Sequence, residues 1–316
     1  MRAKTIFMAM LAAAVLTACN NDENDVIDSG SSQATFTAAI NGQANTRAYD
    51  QTWEANDAIG ISGTSGGTTY TNVQYVTTGG NGNFTAGTSG NEIYYQDDAA
   101  VTFTAYYPWT KLAADATTIT ADTRAQASQS DFDFLWAQQT GSKASPNVQF
   151  LFAHKMVKLV LTIRKGDGVS YQEVQDAVLS LGGFKNNGTF NVTDGTAFAT
   201  DGTVNLTFAG NTSETGYNAP LSKDDAAETV AYTLILFQQE FAAPLPFTAI
   251  TGGQSFSTKL DFTTANVDAG DTDAKNEWVA GRQYNLSVTL HKTGITVNGS
   301  TIQGWEEADG DNIVIN

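Results

Sequence analysis

One residue of this chain is placed for covalent chemistry: Cys19, the only cysteine among 316 residues. Leu16-Thr17-Ala18 precede it, and small residues just before a cysteine suit the narrow cleft of a lipoprotein signal peptidase. Upstream, Arg2 and Lys4 form a short basic region, and Ile6 to Leu16 an apolar run. That run is shorter than the roughly 20 residues a membrane-spanning helix needs. Residues 1–18 therefore read as a removable lipoprotein signal peptide, and Cys19 as the lipidated residue. A lone cysteine otherwise reads as a buried thiol or a nucleophile, but its position favours the lipid.

The other reactive side chains do not converge. His154 and His291 are the only histidines, so a His/Cys zinc site lacks ligands. Gly63-Thr64-Ser65-Gly66-Gly67 frames a serine with glycines, but no histidine precedes it, and a hairpin turn is the simpler reading. Gly80-Asn81-Gly82 lacks the third spaced glycine of a dinucleotide loop. Asp268, Asp271, Asp273 and Glu277 suggest calcium but lack the glycine an EF-hand loop needs, and a solvated acidic loop is favoured. Asp309, Asp311 and Asn312 receive the same reading. His154, between apolar runs, reads as a structural donor holding a turn. We expect no catalytic residue, no cofactor and no metal.

The elements that would carry these residues are strands. Glycine is frequent (29), proline scarce (5), and Thr, Val, Phe and Tyr recur in short alternating runs. Net charge is −17, and loss of Arg2 and Lys4 makes the balance more acidic still. Such a surface repels phosphate backbones, which excludes nucleic acid as a partner. Residues 19–32 are polar and acidic and read as a flexible tether. Beyond it, Thr35 to Ile40 alternates, with Phe36, Ala38 and Ile40 on one face. Strands are also expected at 58–61, 70–76, 101–107, 132–137, 148–152, 157–163, 177–181, 203–208, 229–237, 254–262 and 283–290. The one helix signal is at 171–178, and 110–130 reads as loop. Gly141 to Pro146 is the best boundary. The reading is all-β: two successive β-sandwich domains, 33–145 and 146–316.

Several segments, in order, resemble the fimbrillin family, surface lipoproteins of Bacteroidales related to type V pilins. They are the Phe36–Ile40 strand; Thr46-Arg47-Ala48; Trp53 through Asp57-Ala58-Ile59-Gly60-Ile61; and Tyr106-Tyr107-Pro108. Asp133-Phe134-Leu135-Trp136-Ala137, Phe152-Ala153-His154 to Leu159, Trp278 to Tyr284, and Ile302-Gln303-Gly304-Trp305 continue the series. The acidic run Asp22-Glu23-Asn24-Asp25 is similar to surface-export signals of that group, and equally a solvated linker.

The resemblance implies two tandem transthyretin-like β-sandwiches and a structural or adhesive fimbrial subunit, not an enzyme. Such a subunit is expected to be lipid-anchored at the outer membrane through Cys19 and exposed on the surface or in the fimbrium. It further implies proteolytic processing between Arg47 and Ala48, displacement of the first strand with Phe36, Ala38 and Ile40, and replacement by a strand from another fimbrial subunit. Asn312-Ile313-Val314-Ile315-Asn316 is the donor candidate, although Ile313–Ile315 also reads as the last strand of its own domain. Stalk, anchor and tip roles stay open. The rival reading is a non-polymerising surface lipoprotein that binds a host protein or glycan, with Trp109, Trp136 and Trp305 as stacking platforms.

Overall fold

The computed structural model describes residues 32–41, 52–209, 219, 221–270 and 275–305. The described residues are mostly β, in sandwich-like layers around three hydrophobic cores. Seven strands close into a barrel in the order Asn147–His154, Thr35–Ile40, Asn83–Ala86, Thr68–Thr77, Asp57–Ser65, Val101–Tyr107 and Leu135–Gly141. Alternation explains the closure: Val101, Phe103 and Ala105 are buried, as are Val148, Phe150 and Phe152, and these residues fill the interior.

The second half packs two five-stranded sheets face to face. One runs Leu221–Asp224, Thr229–Leu236, Val157–Lys165, Arg282–His291 and Gly294–Gly304. The other runs Ala197–Ala209, Val178–Asn191, Leu245–Thr251 and Gln254–Leu260, and Thr118–Asp122 adds to Val178–Asn191 as its further strand. Leu159, Leu161, Leu179, Tyr232, Phe247 and Leu286 meet between the layers. The expected helix is a five-residue turn of helix, Tyr171–Gln175, started by a capping box between Ser170 and Glu173.

The expected boundary at 145/146 falls inside the barrel. Gly141 to Pro146 only turns the chain between Leu135–Gly141 and Asn147–His154, which are neighbours, and the chain leaves the barrel at Lys155-Met156. Apolar alternation continues across the turn, so small residues there marked a hairpin. A second exchange runs the other way. Thr118–Asp122, within the stretch read as loop, pairs with Asn187–Asn191 of the second sandwich. Behind it, buried Gln126 donates from Nε2 to the Ile235 carbonyl at 2.9 Å and accepts from the Ile235 N–H at 3.0 Å, completing a strand edge with a side chain.

The cores also hold tyrosines whose hydroxyls are kept neutral. Burial pushes Tyr75, Tyr232 and Tyr284 up to about 12. Unfolded tyrosine ionises near 10. The stabilisation is therefore complete below pH 10 and is lost as pH rises towards 12, by at most about 2–3 kcal/mol per tyrosine. The Tyr75 and Tyr284 hydroxyls accept from the Ile93 and Val279 N–H groups, whereas the Tyr232 hydroxyl has no partner among the described residues. We predict that Tyr232→Phe leaves stability at pH 7 unchanged or raises it by about 1 kcal/mol. It should also make urea unfolding at pH 11 less sensitive to alkali. A large loss at pH 7 would show that the hydroxyl is needed.

Candidate functional site

The site is the slot filled by the first strand. Thr35–Ile40 runs parallel to Asn147–His154 through six residue pairs, from Thr35–Asn147 to Ile40–Phe152. On its other side it pairs antiparallel only at Phe36–Phe84 and Thr37–Asn83, extended by Ala38 N–H to the Gly82 carbonyl at 2.8 Å. Its flanks are tied as well: Ala34 N–H donates to Ile93 O at 2.9 Å, and Asn41 N–H to Phe152 O at 2.8 Å.

The inward face alternates small and large side chains: Ala34, Phe36, Ala38, Ile40. Ala34, Phe36 and Ile40 are buried and Ala38 half-buried. Phe36 is the centrepiece. Its ring lies 4.9 Å from Tyr75 and 5.4 Å from Phe103, both edge-on, and is stacked on Phe150 at 5.8 Å. Trp53 closes the lower end. Its Nε1 donates to the Ala38 carbonyl at 2.9 Å, and its ring meets Phe84, Tyr107 and Phe152 within 5.2–5.5 Å. Tyr107 in turn donates to Asp57 Oδ1 at 3.0 Å, and burial together with that carboxylate pushes its hydroxyl far above the usual tyrosine range. Gly82 has a φ of +76°, and a Cβ there would collide with the Ala38 carbonyl, so only glycine lets this turn approach the strand.

The predicted site residues are met unevenly. Phe36, Ala38 and Ile40 share one face of one strand, as their alternation requires. Cys19, Arg47, Ala48, Ile313, Val314 and Ile315, with the signal peptide and most of the tether, lie outside the described residues. Trp53 was visible only as a spacing landmark, and its grip on Ala38 had no local signal. Parallel pairing with Asn147–His154, more than a hundred residues away, had none either.

Ser65 lies where the hairpin Asp57–Ser65 to Thr68–Thr77 turns, and its Oγ accepts from Gln96 N–H at 2.9 Å. His154 is buried. Its Nδ1 lies 3.0 Å from Asp133 Oδ1, and its ring stacks on Trp305 at 3.8 Å. Trp305, 1% exposed, offers no platform. Trp109 and Trp136 are half-buried, with Nε1 donated to Asn72 O and Val192 O at 3.2 Å each. Asp271 and Asp273 lie outside the described residues, among which no cluster of three His, Cys, Asp or Glu side chains is arranged to hold a metal ion. An open cleft of about 690 Å³ is lined by exposed Phe198 with Lys185, Glu240, Glu277 and Arg282.

Comparison with known proteins places this arrangement. A family model described as Fimbrillin-like matches residues 46–305. A curated relative from Bacteroides uniformis, named "Putative fimbrium subunit Fim1C", is 31% identical over 98% of this chain and 97% of its own length. The crystal structure of a "putative cell adhesion protein" from the same species superposes with a TM-score of 0.66 at 30% identity, covering 87% of this chain and 99% of that one. A second protein so titled, from Bacteroides ovatus, shares the fold with a TM-score of 0.67 at 22% identity over 89% of this chain and 100% of that one. With the family model spanning most of the chain and the relative matching nearly end to end, this protein belongs to the fimbrillin-like family.

Proposed function

We propose that this chain is a structural or adhesive subunit of a surface fimbrium, delivered as a lipoprotein and assembled by strand replacement. The observation that carries this reading is the placement of Thr35–Ile40. It is an integral barrel strand, yet it is joined to everything after it only through 41–52, the stretch that contains Arg47. A cut between Arg47 and Ala48 would sever the strand from the body, leaving it held by hydrogen bonds and apolar packing alone.

Loss of the strand would bare the Asn147–His154 edge and the pocket around Phe36, both costly in water. A strand from another subunit would satisfy both. Cys19 is the lipid anchor to the outer membrane before the cut, and permanently so if no cut occurs. Ile313, Val314 and Ile315 are the strand this chain would offer to a neighbour. The same reading divides the body into two modules: the barrel, ending at 154, and the sandwich of 155–305, to which 118–131 is added. It assigns no catalysis.

Limited trypsin digestion tests the proposal. We predict a new N-terminus at Ala48, followed by higher-mass assemblies on gels once other fimbrial subunits are added, and neither from Arg47→Ala. A chain that resists cutting at Arg47 would be an anchor rather than a stalk. A cut chain that keeps its first strand and stays monomeric with every added subunit would overturn assembly by replacement. Phe198, 47% exposed in its charged cleft, favours a second reading, glycan binding by an assembled or free subunit, for which loss of glycan-array signal in Phe198→Ala is the test.

A further inference from the structure

Resting on the strand-replacement reading, we infer that the barrel slot does not accept the 312–316 segment of a second copy of this chain. It selects instead a strand from a different subunit, with a small–aromatic–small–aliphatic series at alternate positions.

The slot is a mould of Ala34, Phe36, Ala38 and Ile40. At one end Ala34 is 1% exposed, with no room for a larger side chain without displacing its neighbours. Next comes the pocket where Phe36 meets three aromatic rings in two orientations, edge-on to Tyr75 and Phe103 and stacked on Phe150. An aliphatic side chain there leaves part of that volume empty and forfeits the ring contacts. Alternation then returns to a small residue, and after it to Ile40.

The segment Asp311-Asn312-Ile313-Val314-Ile315-Asn316 contains no aromatic residue, and Ile313 and Ile315 are successive on one face. Set parallel to Asn147–His154, as Thr35–Ile40 is, each register fails. Ile313 at the Ala34 position overfills it and leaves Ile315 in the ring pocket. Moved on by two, Ile313 occupies the ring pocket, and Asp311 is buried at the Ala34 position. Moved on by four, Asp311 itself enters the ring pocket, where a carboxylate loses its hydration against the rings of Tyr75, Phe103 and Phe150. Turned over, the strand points Asn312, Val314 and Asn316 inward. Reversing its direction leaves the two isoleucines adjacent on one face and the mismatch in place. Copies of this chain would therefore not chain together through this slot, whereas the segment remains free to enter a differently shaped slot elsewhere.

The test uses the full chain with a specific protease site replacing 44–47. After cutting, the released fragment is exchanged in mild denaturant for synthetic peptides. These carry residues 32–41, the same peptide with Phe36→Ala, residues 308–316, or residues 308–316 with Ile315→Phe. We expect 32–41 to bind, and both Phe36→Ala and 308–316 to bind at least tenfold more weakly. Ile315→Phe should recover part of the loss. Equal binding of 308–316 and 32–41, or no effect of Phe36→Ala, would overturn the selectivity alone. Failure of 32–41 itself to rebind to a cut chain with intact β circular dichroism would overturn strand replacement and this inference together.

Discussion

Phe36→Ala in the intact chain is expected to lower the stability of the barrel by about 3–5 kcal/mol, the usual cost of removing a phenyl ring from a core that cannot collapse around the void. The site gives little scope for collapse. Tyr75, Phe103 and Phe150 lie on three different strands whose register is fixed by hydrogen bonds, so they cannot all move inward. Urea unfolding followed by tryptophan fluorescence measures it. Trp53 reports on the barrel through Phe84, Tyr107 and Phe152, and Trp278 on the second sandwich through Phe184, Phe241 and Phe262. Leu151→Ala, at 59% exposure on the outer face of the strand that pairs with Thr35–Ile40, is the control and should change stability by less than about 0.5 kcal/mol. A loss below about 1 kcal/mol for Phe36→Ala would mean the first strand is a passive cover, and the premise that its departure leaves a costly gap would fail.

Phe134→Ala should act differently, by uncoupling the two halves. Phe134 is fully buried and stacked on Phe190 at 4.5 Å and 5° between planes, and it touches Phe237 as well. Phe190 and Phe237 belong to the second sandwich, and Tyr106 of the barrel joins them with Met156 and Trp305 in a third core. Loss of the ring should cost about 3–5 kcal/mol. It should also turn a single cooperative melt into two calorimetric transitions, because the energy removed is the term that couples the halves. One unchanged transition would show that Thr118–Asp122 and Gln126, rather than the aromatic stack, hold the halves together.

Strands with one wet and one dry face were legible because side chains alternate with a period of two. Thr35–Ile40, Val101–Tyr107, Val157–Lys165 and Arg282–His291 are all of this kind. Leu245–Thr251 is not announced in this way, because Pro246 argues against a strand. Pro246 lies just past the last pair with Val178–Asn191, Phe247–Leu181, where its missing N–H leaves no rung unfilled. Gly294–Gly304 carries no clear alternation, and Asn298 and Gly299 within it sit at a bulge opposite Ser287-Val288. Thr118–Asp122 has too little apolar character to announce itself, and it is a strand only because Asn187–Asn191 offers it an edge.

The sequence by itself determined the all-β class, the inward face of the first strand and the order of motifs that marks the family. All of these are local: a period of two, a turn residue, a short motif at its place in a series. Tertiary structure alone decided that Thr35–Ile40 closes a barrel beside Asn147–His154, that Trp53 grips Ala38, and that three distant rings enclose Phe36. Those facts depend on which strands become neighbours, and pairing across more than a hundred residues is set by the global closure of the sheet, which no window of sequence contains.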